Sequence, residues 1–340
     1  MSTHLPLLFS SSIREDFWNY CLVNAIEKPI ILCDTNTLRD CLPLLGNQNL
    51  FRLICNPDGE INKSWEQLNE LLQQLLVLNV NRNETLFILG GGVLTDIGGL
   101  SAALYQRGIP HVNIPTTLMG MVDAAIGGKT AIDFAGIKNF IGIVKQPETC
   151  IIAPVFLKTL PEIEYQSAWS EIVKVAIIDS RELWELIRTD ASIETLIPFC
   201  AQQKYDLVQQ DEHDKSIRQL LNFGHTIGHA IEAFYLCKNK PVTHGFAIAK
   251  GMLFELYLAH YIQSISSDEL AQMKAIVLTK LLNNDNSLGI ELSELKETMF
   301  HDKKKTGTSL RFSLPITVGK GKWGVEIEWD TLLKVYSIYY

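Results

Sequence analysis

Three histidines lie in one glycine-punctuated stretch: His225 and His229 in Asn222-Phe223-Gly224-His225-Thr226-Ile227-Gly228-His229, and His244 in Thr243-His244-Gly245. His225 and His229 are four residues apart and share a face if the stretch is helical. That is the spacing of a zinc-binding helix, but no Glu follows the first His, which speaks against a zinc protease. Two or three imidazoles with one carboxylate make a catalytic metal set with an open position. A lone histidine is more often a satisfied core residue; three in so short a window favour a site. Glu171, in Ser170-Glu171-Ile172-Val173-Lys174, is a candidate carboxylate, and Lys174 shares its helix face three residues on. Elsewhere such a pair would be a surface salt bridge. Here the flanking Val175, Ala176 and Ile177 point to burial, and buried charges need partners or a metal.

Gly90-Gly91-Gly92 follows an apolar run and precedes a helical pattern, with Asp96 close behind. Glycines let the backbone approach a phosphate, and a helix N-terminus favours its charge. A tight strand-to-helix turn would use the same residues, and the GxGxxG dinucleotide fingerprint is absent. Gly127-Gly128-Lys129-Thr130 resembles a P-loop only superficially, because Asp123 stands where the first glycine is required. A nucleotide triphosphatase is therefore rejected, although Lys129 could still sit beside an anion. Further cations recur at Arg107, Lys138, Lys204, Arg218 and Lys303, while Lys304 and Lys305 read as a solvated face.

The elements that must position these groups change character along the chain. Strand-like runs at Pro29 to Cys33, Leu50 to Cys55, Thr85 to Leu89 and His111 to Ile114 alternate with helical patterns at Ser64 to Leu78 and Ile97 to Tyr105. This predicts an α/β domain with a mostly parallel sheet, whose ligands sit beyond the carboxyl ends of the strands. Beyond Lys158 the periodicities are mainly helical: through Ile187, then Ile193 to Gln210, His225 to Phe234 and Phe246 to Ile262, with a small strand at Leu310 to Ile316. Thr159 and Glu162 carry capping-box spacing at the start of the first of these helices. Two domains are expected, 1–157 and 158–340. The 340 residues carry a net charge of −8, which excludes non-specific nucleic-acid binding but not a small anionic substrate. Seven scattered cysteines without a CxxC pair suit a reducing cytoplasm. Neither a secretory signal nor a membrane span is expected.

Taken together, GGGVLTDIGG, YQRG, IPTTLMGMVDAAIGGKT, KNFIG, FLKTLP, SEIVK, RQLLNFGHTIGHAIE and HDKK occur in the order found in the 3-dehydroquinate synthases of the sugar-phosphate cyclase superfamily. The resemblance runs from about Asp34 to about Gly319. It implies an NAD-binding α/β domain, a helical metal- and substrate-binding domain, a divalent metal (zinc or cobalt) and a homodimer. It also implies conversion of 3-deoxy-arabino-heptulosonate 7-phosphate to 3-dehydroquinate and phosphate, a step of the shikimate pathway. Oxidation, phosphate elimination, re-reduction and aldol closure follow one another, and NAD is regenerated each turn.

Carried over residue by residue, the resemblance makes Glu171, His225 and His244 the metal ligands and moves His229 to the leaving phosphate. Lys129, Asn139, Asn222 and Lys303 match phosphate-binding residues, and Arg107 matches one that reaches into a neighbouring subunit. Lys174, Lys204 and Arg218 match groups around the substrate carboxylate and hydroxyls, and Asp123 an acidic contact to the hydroxyls. Asp34, Asn36, Glu60, Lys63, Gly90, Gly91, Gly92, Asp96, Thr116, Thr117, Lys138 and Thr159 match NAD contacts. Four positions depart from the family pattern: Phe246 for Glu, Asp214 for Glu, Thr95 for Gly and Lys145 for an aromatic. The alternatives are a sister cyclase acting on sedoheptulose 7-phosphate or glucose 6-phosphate, and a metal-dependent polyol dehydrogenase of the same fold.

Overall fold

Short apolar runs become the parallel strands of the first half, and four of them end in Asp34, Asn56, Gly90 and Pro115. The computed structural model describes residues 7–301 and 309–340. The chain divides into two compact units, Met1–Pro161 and Glu162–Tyr340.

The first unit runs β1 (Leu7–Phe9), α1 (Ile13–Val23), β2 (Ile30–Asp34), α2 (Thr35–Asp40), α3 (Leu42–Leu45), β3 (Arg52–Asn56), α4 (Trp65–Val77), β4 (Leu86–Gly90), α5 (Gly92–Leu104), β5 (His111–Pro115), β6 (Lys129–Phe134), β7 (Ile137–Val144) and β8 (Thr149–Ile152). Six strands form one parallel sheet in the order β1-β8-β5-β4-β2-β3. Its central strands are buried throughout, as Ile30 to Cys33 and Leu86 to Leu89 show, and so read as continuous apolar runs. Pairing passes from β2 to β3 on one side and from β2 to β4 on the other, so the strand order reverses at β2. The carboxyl ends of β2 and β4 therefore flank the crevice where an open α/β sheet takes its ligand.

An antiparallel hairpin of β6 and β7 lies outside that sheet. The sequence reading expects only a Gly-Gly-Lys turn there. Lys129 is instead the first residue of β6, and β7 is largely exposed, so no buried apolar run announces it.

The second unit comprises α6 (Glu162–Ile178), α7 (Arg181–Arg188), α8 (Ile193–Gln210), α9 (His225–Cys237), α10 (His244–Tyr261), α11 (Ser267–Leu281), α12 (Leu292–His301), an antiparallel hairpin of β9 (Ser309–Thr317) and β10 (Lys320–Glu328), and α13 (Trp329–Tyr339). The helical pattern expected to run through Ile187 breaks at Asp179-Ser180, because Ser180 accepts the Leu183 N–H and starts α7 as its N-cap. Thr159 does not cap α6. Its hydroxyl donates to the Phe156 carbonyl within a 3₁₀ turn, and α6 begins after Pro161. β10 and α13 are additions the sequence reading lacks.

Helix α10 is buried from Ala247 to Ala259, as expected of a helix that is apolar on all sides. Helices α6 and α9 pack against it at close range. A Cβ on Gly251 would lie 2.0 Å from the Gly224 carbonyl oxygen, and one on Gly245 would lie 1.9 Å from that of Ser167. Only glycine fits either position without displacing backbone. These contacts set the spacing of the helices that carry the candidate metal ligands.

Candidate active site

In the first unit, Asp34 and Gly90 end the strands β2 and β4, Asn36, Gly92 and Asp96 lie on the helices that follow them, and Thr116 and Thr117 follow β5. Gly91 is the N-cap of α5, and a Cβ there would meet Thr117 Cγ2 at 2.8 Å, so a larger residue would have to displace that side chain. Thr116 donates its N–H to the Gly90 carbonyl at 3.1 Å, and the Thr117 hydroxyl accepts the Gly120 N–H at 3.0 Å. Asp34 closes β2 but also caps α2. Its Oδ1 accepts the Thr37 N–H at 2.7 Å, and its own N–H donates to the Thr37 hydroxyl. Thr35 and Asn36 donate to opposite oxygens of Asp58.

Lys63 is buried, and its ammonium binds Asp96 Oδ2 at 2.6 Å and Asn139 Oδ1. The structure thus joins a residue expected at the phosphate, Asn139, to two expected at NAD. Lys138 pairs with Glu60 at 3.5 Å. Asp123 lies in a π-turn, Gly120–Ala124, while Lys129 and Arg107 are exposed.

In the second unit, α6 carries Glu171 and Lys174, α9 carries His225, His229 and Glu232, and α10 begins with His244. Glu171 is 1% exposed. Lys174 forms an ion pair with its Oε2, yet neither carboxylate oxygen has a hydrogen-bond partner of good geometry. His225 Nε2 and His244 Nε2 lie 3.7 and 3.6 Å from Oε1. These separations are too long for hydrogen bonds. They are within a few tenths of an ångström of the roughly 3.4 Å edge of a tetrahedron with metal–ligand bonds of about 2.1 Å. A buried carboxylate facing two imidazole nitrogens at that spacing fits a divalent cation. The three residues form one potential cation-binding group; His229, Glu232 and His244 form a second.

The electrostatics of the three residues differ. Burial opposes ionisation of Glu171, but Lys174, His244 and His225 hold its carboxyl well below the usual range. Burial, reinforced by Lys174, keeps His225 neutral far below its ordinary pKa. Burial also acts against protonation of His244, but Glu171 and Glu232 outweigh it and push the pKa up to about 9.

The N-terminus of α9 is built to present His225. Gly224 has φ of +80°, and in place of a side-chain cap the buried Glu255 of α10 receives the N–H groups of Gly224 and Ile227. The His225 Nδ1 lies 3.1 Å from the Phe223 carbonyl, which leaves Nε2 toward Glu171. Lys204 is buried on α8 and Arg218 on the 3₁₀ turn Ile217–Asn222, which packs against α8. Asn222, exposed, ends that turn. Arg218 donates to the Glu212 carbonyl at 2.9 Å. Lys303 lies outside the described residues. Phe246, the departure beside His244, donates its N–H to the Thr243 hydroxyl, and its ring lies 5.6 Å from the Lys250 ammonium.

Three acidic residues escape the sequence reading. Glu232 could have been found seven residues after His225, on the same helical face. Glu255 acts across a helix pair, so no local spacing signals it. Asp211 accepts the N–H groups of Lys215, Ser216 and Arg218 and folds the loop that carries Arg218. Burial opposes its ionisation, but these donors hold its carboxyl down to about 2.

Comparison with known proteins covers both units. Residues 53–167 match the family described as 3-dehydroquinate synthase N-terminal, and residues 168–305 match 3-dehydroquinate synthase C-terminal. A 3-dehydroquinate synthase of Parabacteroides distasonis is 35% identical over 326 residues, 92% of this chain and 91% of that protein. Among solved structures, the 2-epi-5-epi-valiolone synthase of Streptomyces hygroscopicus subsp. jinggangensis 5008, with NAD+ and Zn2+ bound, superposes with a TM-score of 0.84 at 26% identity, covering 97% of this chain and 94% of that one. A 2-deoxy-scyllo-inosose synthase complexed with carbaglucose-6-phosphate, NAD+ and Co2+ gives 0.85 at 22% identity, with 97% and 95% covered; at that identity the likeness concerns the fold alone.

Proposed function

The chain belongs to the 3-dehydroquinate synthase family, and on that premise we propose that it converts 3-deoxy-arabino-heptulosonate 7-phosphate to 3-dehydroquinate and phosphate. The observation that carries this reading is the buried Glu171 with Nε2 of both His225 and His244 turned toward it and no good hydrogen bond to its oxygens. NAD+, when bound, accepts and returns a hydride, and a divalent zinc or cobalt ion supplies Lewis acidity at the oxygen being oxidised.

The chain's own residues bind and orient. Gly90, Gly91 and Gly92, with the N-terminus of α5, take the cofactor phosphates, supported by Thr116, Thr117 and Thr159. Asp34, Asn36, Glu60, Lys63, Asp96 and Lys138 hold its remaining polar groups. Glu171, His225 and His244 hold the metal. Lys204 and Arg218 bind the substrate carboxylate, for which a guanidinium is suited by its paired donors. Lys174 and Asp123 orient substrate hydroxyls. Lys129, Asn139, Asn222 and Lys303 bind the leaving phosphate, where His229 is placed to move a proton. Arg107, exposed here, serves the site of a second copy in a homodimer. Among the described residues no helix is long and apolar enough to cross a membrane, and cytoplasmic residence is proposed with this function.

Incubation of the zinc-loaded protein and NAD+ with three phosphosugars tests the substrate. Phosphate release is expected from 3-deoxy-arabino-heptulosonate 7-phosphate and not from sedoheptulose 7-phosphate or glucose 6-phosphate. Turnover of either of the latter without the first would overturn the proposal.

A further inference from the structure

We infer that Glu232 is a positioning residue for the metal: its carboxylate holds the Nδ1 side of His244 and so fixes Nε2 as the coordinating nitrogen. The inference rests on the metal reading above. Glu232 Oε2 lies 3.3 Å from His244 Nδ1, while His244 Nε2 lies 3.6 Å from Glu171 Oε1. The two ring nitrogens thus have separate tasks. His225 shows the same division, with Nδ1 at the Phe223 carbonyl and Nε2 toward Glu171. One ligand is oriented by main chain and the other by a carboxylate. A carboxylate is the stronger choice, since it fixes the tautomer and raises the basicity of the coordinating nitrogen.

The position also needs the help. His244 is the first residue of α10, and its side chain is 34% exposed against 15% for His225, so packing restrains it less. Glu232 itself is 14% exposed and reaches His244 from the neighbouring helix α9.

The same atoms admit a different occupant, because His229, Glu232 and His244 could together hold a second cation. A cation on each side of His244 would require its imidazole to lose both ring protons. A hydrogen bond to Glu232 requires nothing unusual of the ring and is the arrangement inferred here.

The test is zinc affinity by competition with a chromogenic chelator, together with zinc content per chain and the urea midpoint of each metal-free protein. Wild type is expected to hold one zinc. Glu232→Ala should hold one zinc about 10–100-fold more weakly. Glu232→Gln, which keeps an acceptor but no charge, should recover part of that loss at the same urea midpoint. Equal affinity in wild type and Glu232→Ala overturns the inference while leaving the metal reading intact. Two zincs in wild type, with one lost in Glu232→Ala, overturns it in favour of a second cation site. A wild type that binds no more zinc than Glu171→Gln overturns the metal reading and this inference with it.

Discussion

Gly224 donates its backbone N–H to Oε2 of Glu255 at 2.7 Å, so a side chain of α10 closes the N-terminus of α9 one residue before His225. The second oxygen of Glu255 lies 3.5 Å from the Ile227 nitrogen. Glu255→Ala leaves these groups buried without an acceptor. A loss of roughly 2–4 kcal/mol in urea unfolding is expected, with weaker zinc binding because His225 loses its anchor. Glu255→Gln keeps an acceptor and should lose less; equal losses in the two variants would contradict the capping role.

The approach of the two helices rests on glycine. With Gly251→Ala, the new methyl would fall 2.0 Å from the Gly224 carbonyl oxygen and 2.7 Å from the Gly228 nitrogen. Neither neighbour is a side chain that could rotate away. Stability should drop by about 1–3 kcal/mol, and zinc affinity should fall as α9 moves off α10. Unchanged chelator competition in this variant would show that helix spacing does not set the ligand geometry.

His111 is 1% exposed, and neither ring nitrogen has a hydrogen-bond partner. Burial, with a contribution from Lys145, pushes its pKa down to about 3. The unfolded chain binds a proton at this histidine below its ordinary pKa of 6.5, whereas the folded chain binds one only near 3. Stability is therefore lost progressively as pH falls from about 6.5 toward 3. Between pH 7 and pH 5 this residue alone accounts for about 2 kcal/mol. His111→Leu should unfold in urea with a flatter pH dependence across that range. A slope identical to wild type would refute it.

Lys250 is buried, and its ammonium binds Asp285 Oδ2 at 2.6 Å together with the Ser287 carbonyl. The Lys250 ammonium, with the N–H and hydroxyl of Ser287, holds the Asp285 carboxyl down to about 2. Because the folded-state pKa is depressed, this stabilisation is complete above about pH 4 and is lost as pH falls through 2. Asp285→Ala leaves a buried ammonium without its counter-charge, whereas Lys250→Met leaves an exposed carboxylate in water. The first should destabilise more than the second at pH 7. The reverse order in urea midpoints would contradict the pairing.

Much of this was legible in the sequence, for physical reasons. The runs Ile30 to Asp34 and Leu86 to Gly90 are buried strands, and buried strands announce themselves as apolar runs with polar ends. Residue type and helical spacing marked His225, His229 and His244 with one carboxylate as a possible metal set, and only the family resemblance narrowed it to Glu171, His225 and His244, which the fold brings together from three helices. The exposed strand β7 was not legible, since nothing in its pattern distinguishes it from a loop. Glu255 and Asp211 act on backbone N–H groups, across a helix pair and within a folded loop respectively, and no local motif encodes such partners. Thr159 and Glu162 illustrate the converse. Their spacing suits a capping box, but the 3₁₀ turn before Pro161 takes the threonine hydroxyl.

The most direct measurement follows inorganic phosphate and NADH together while the zinc-loaded protein and NAD+ act on 3-deoxy-arabino-heptulosonate 7-phosphate. Phosphate should appear in step with substrate consumed, 3-dehydroquinate should form in equal amount, and NADH should not accumulate, because the hydride is returned each turn. NADH rising in step with substrate loss, or no phosphate at all, would contradict the proposed activity.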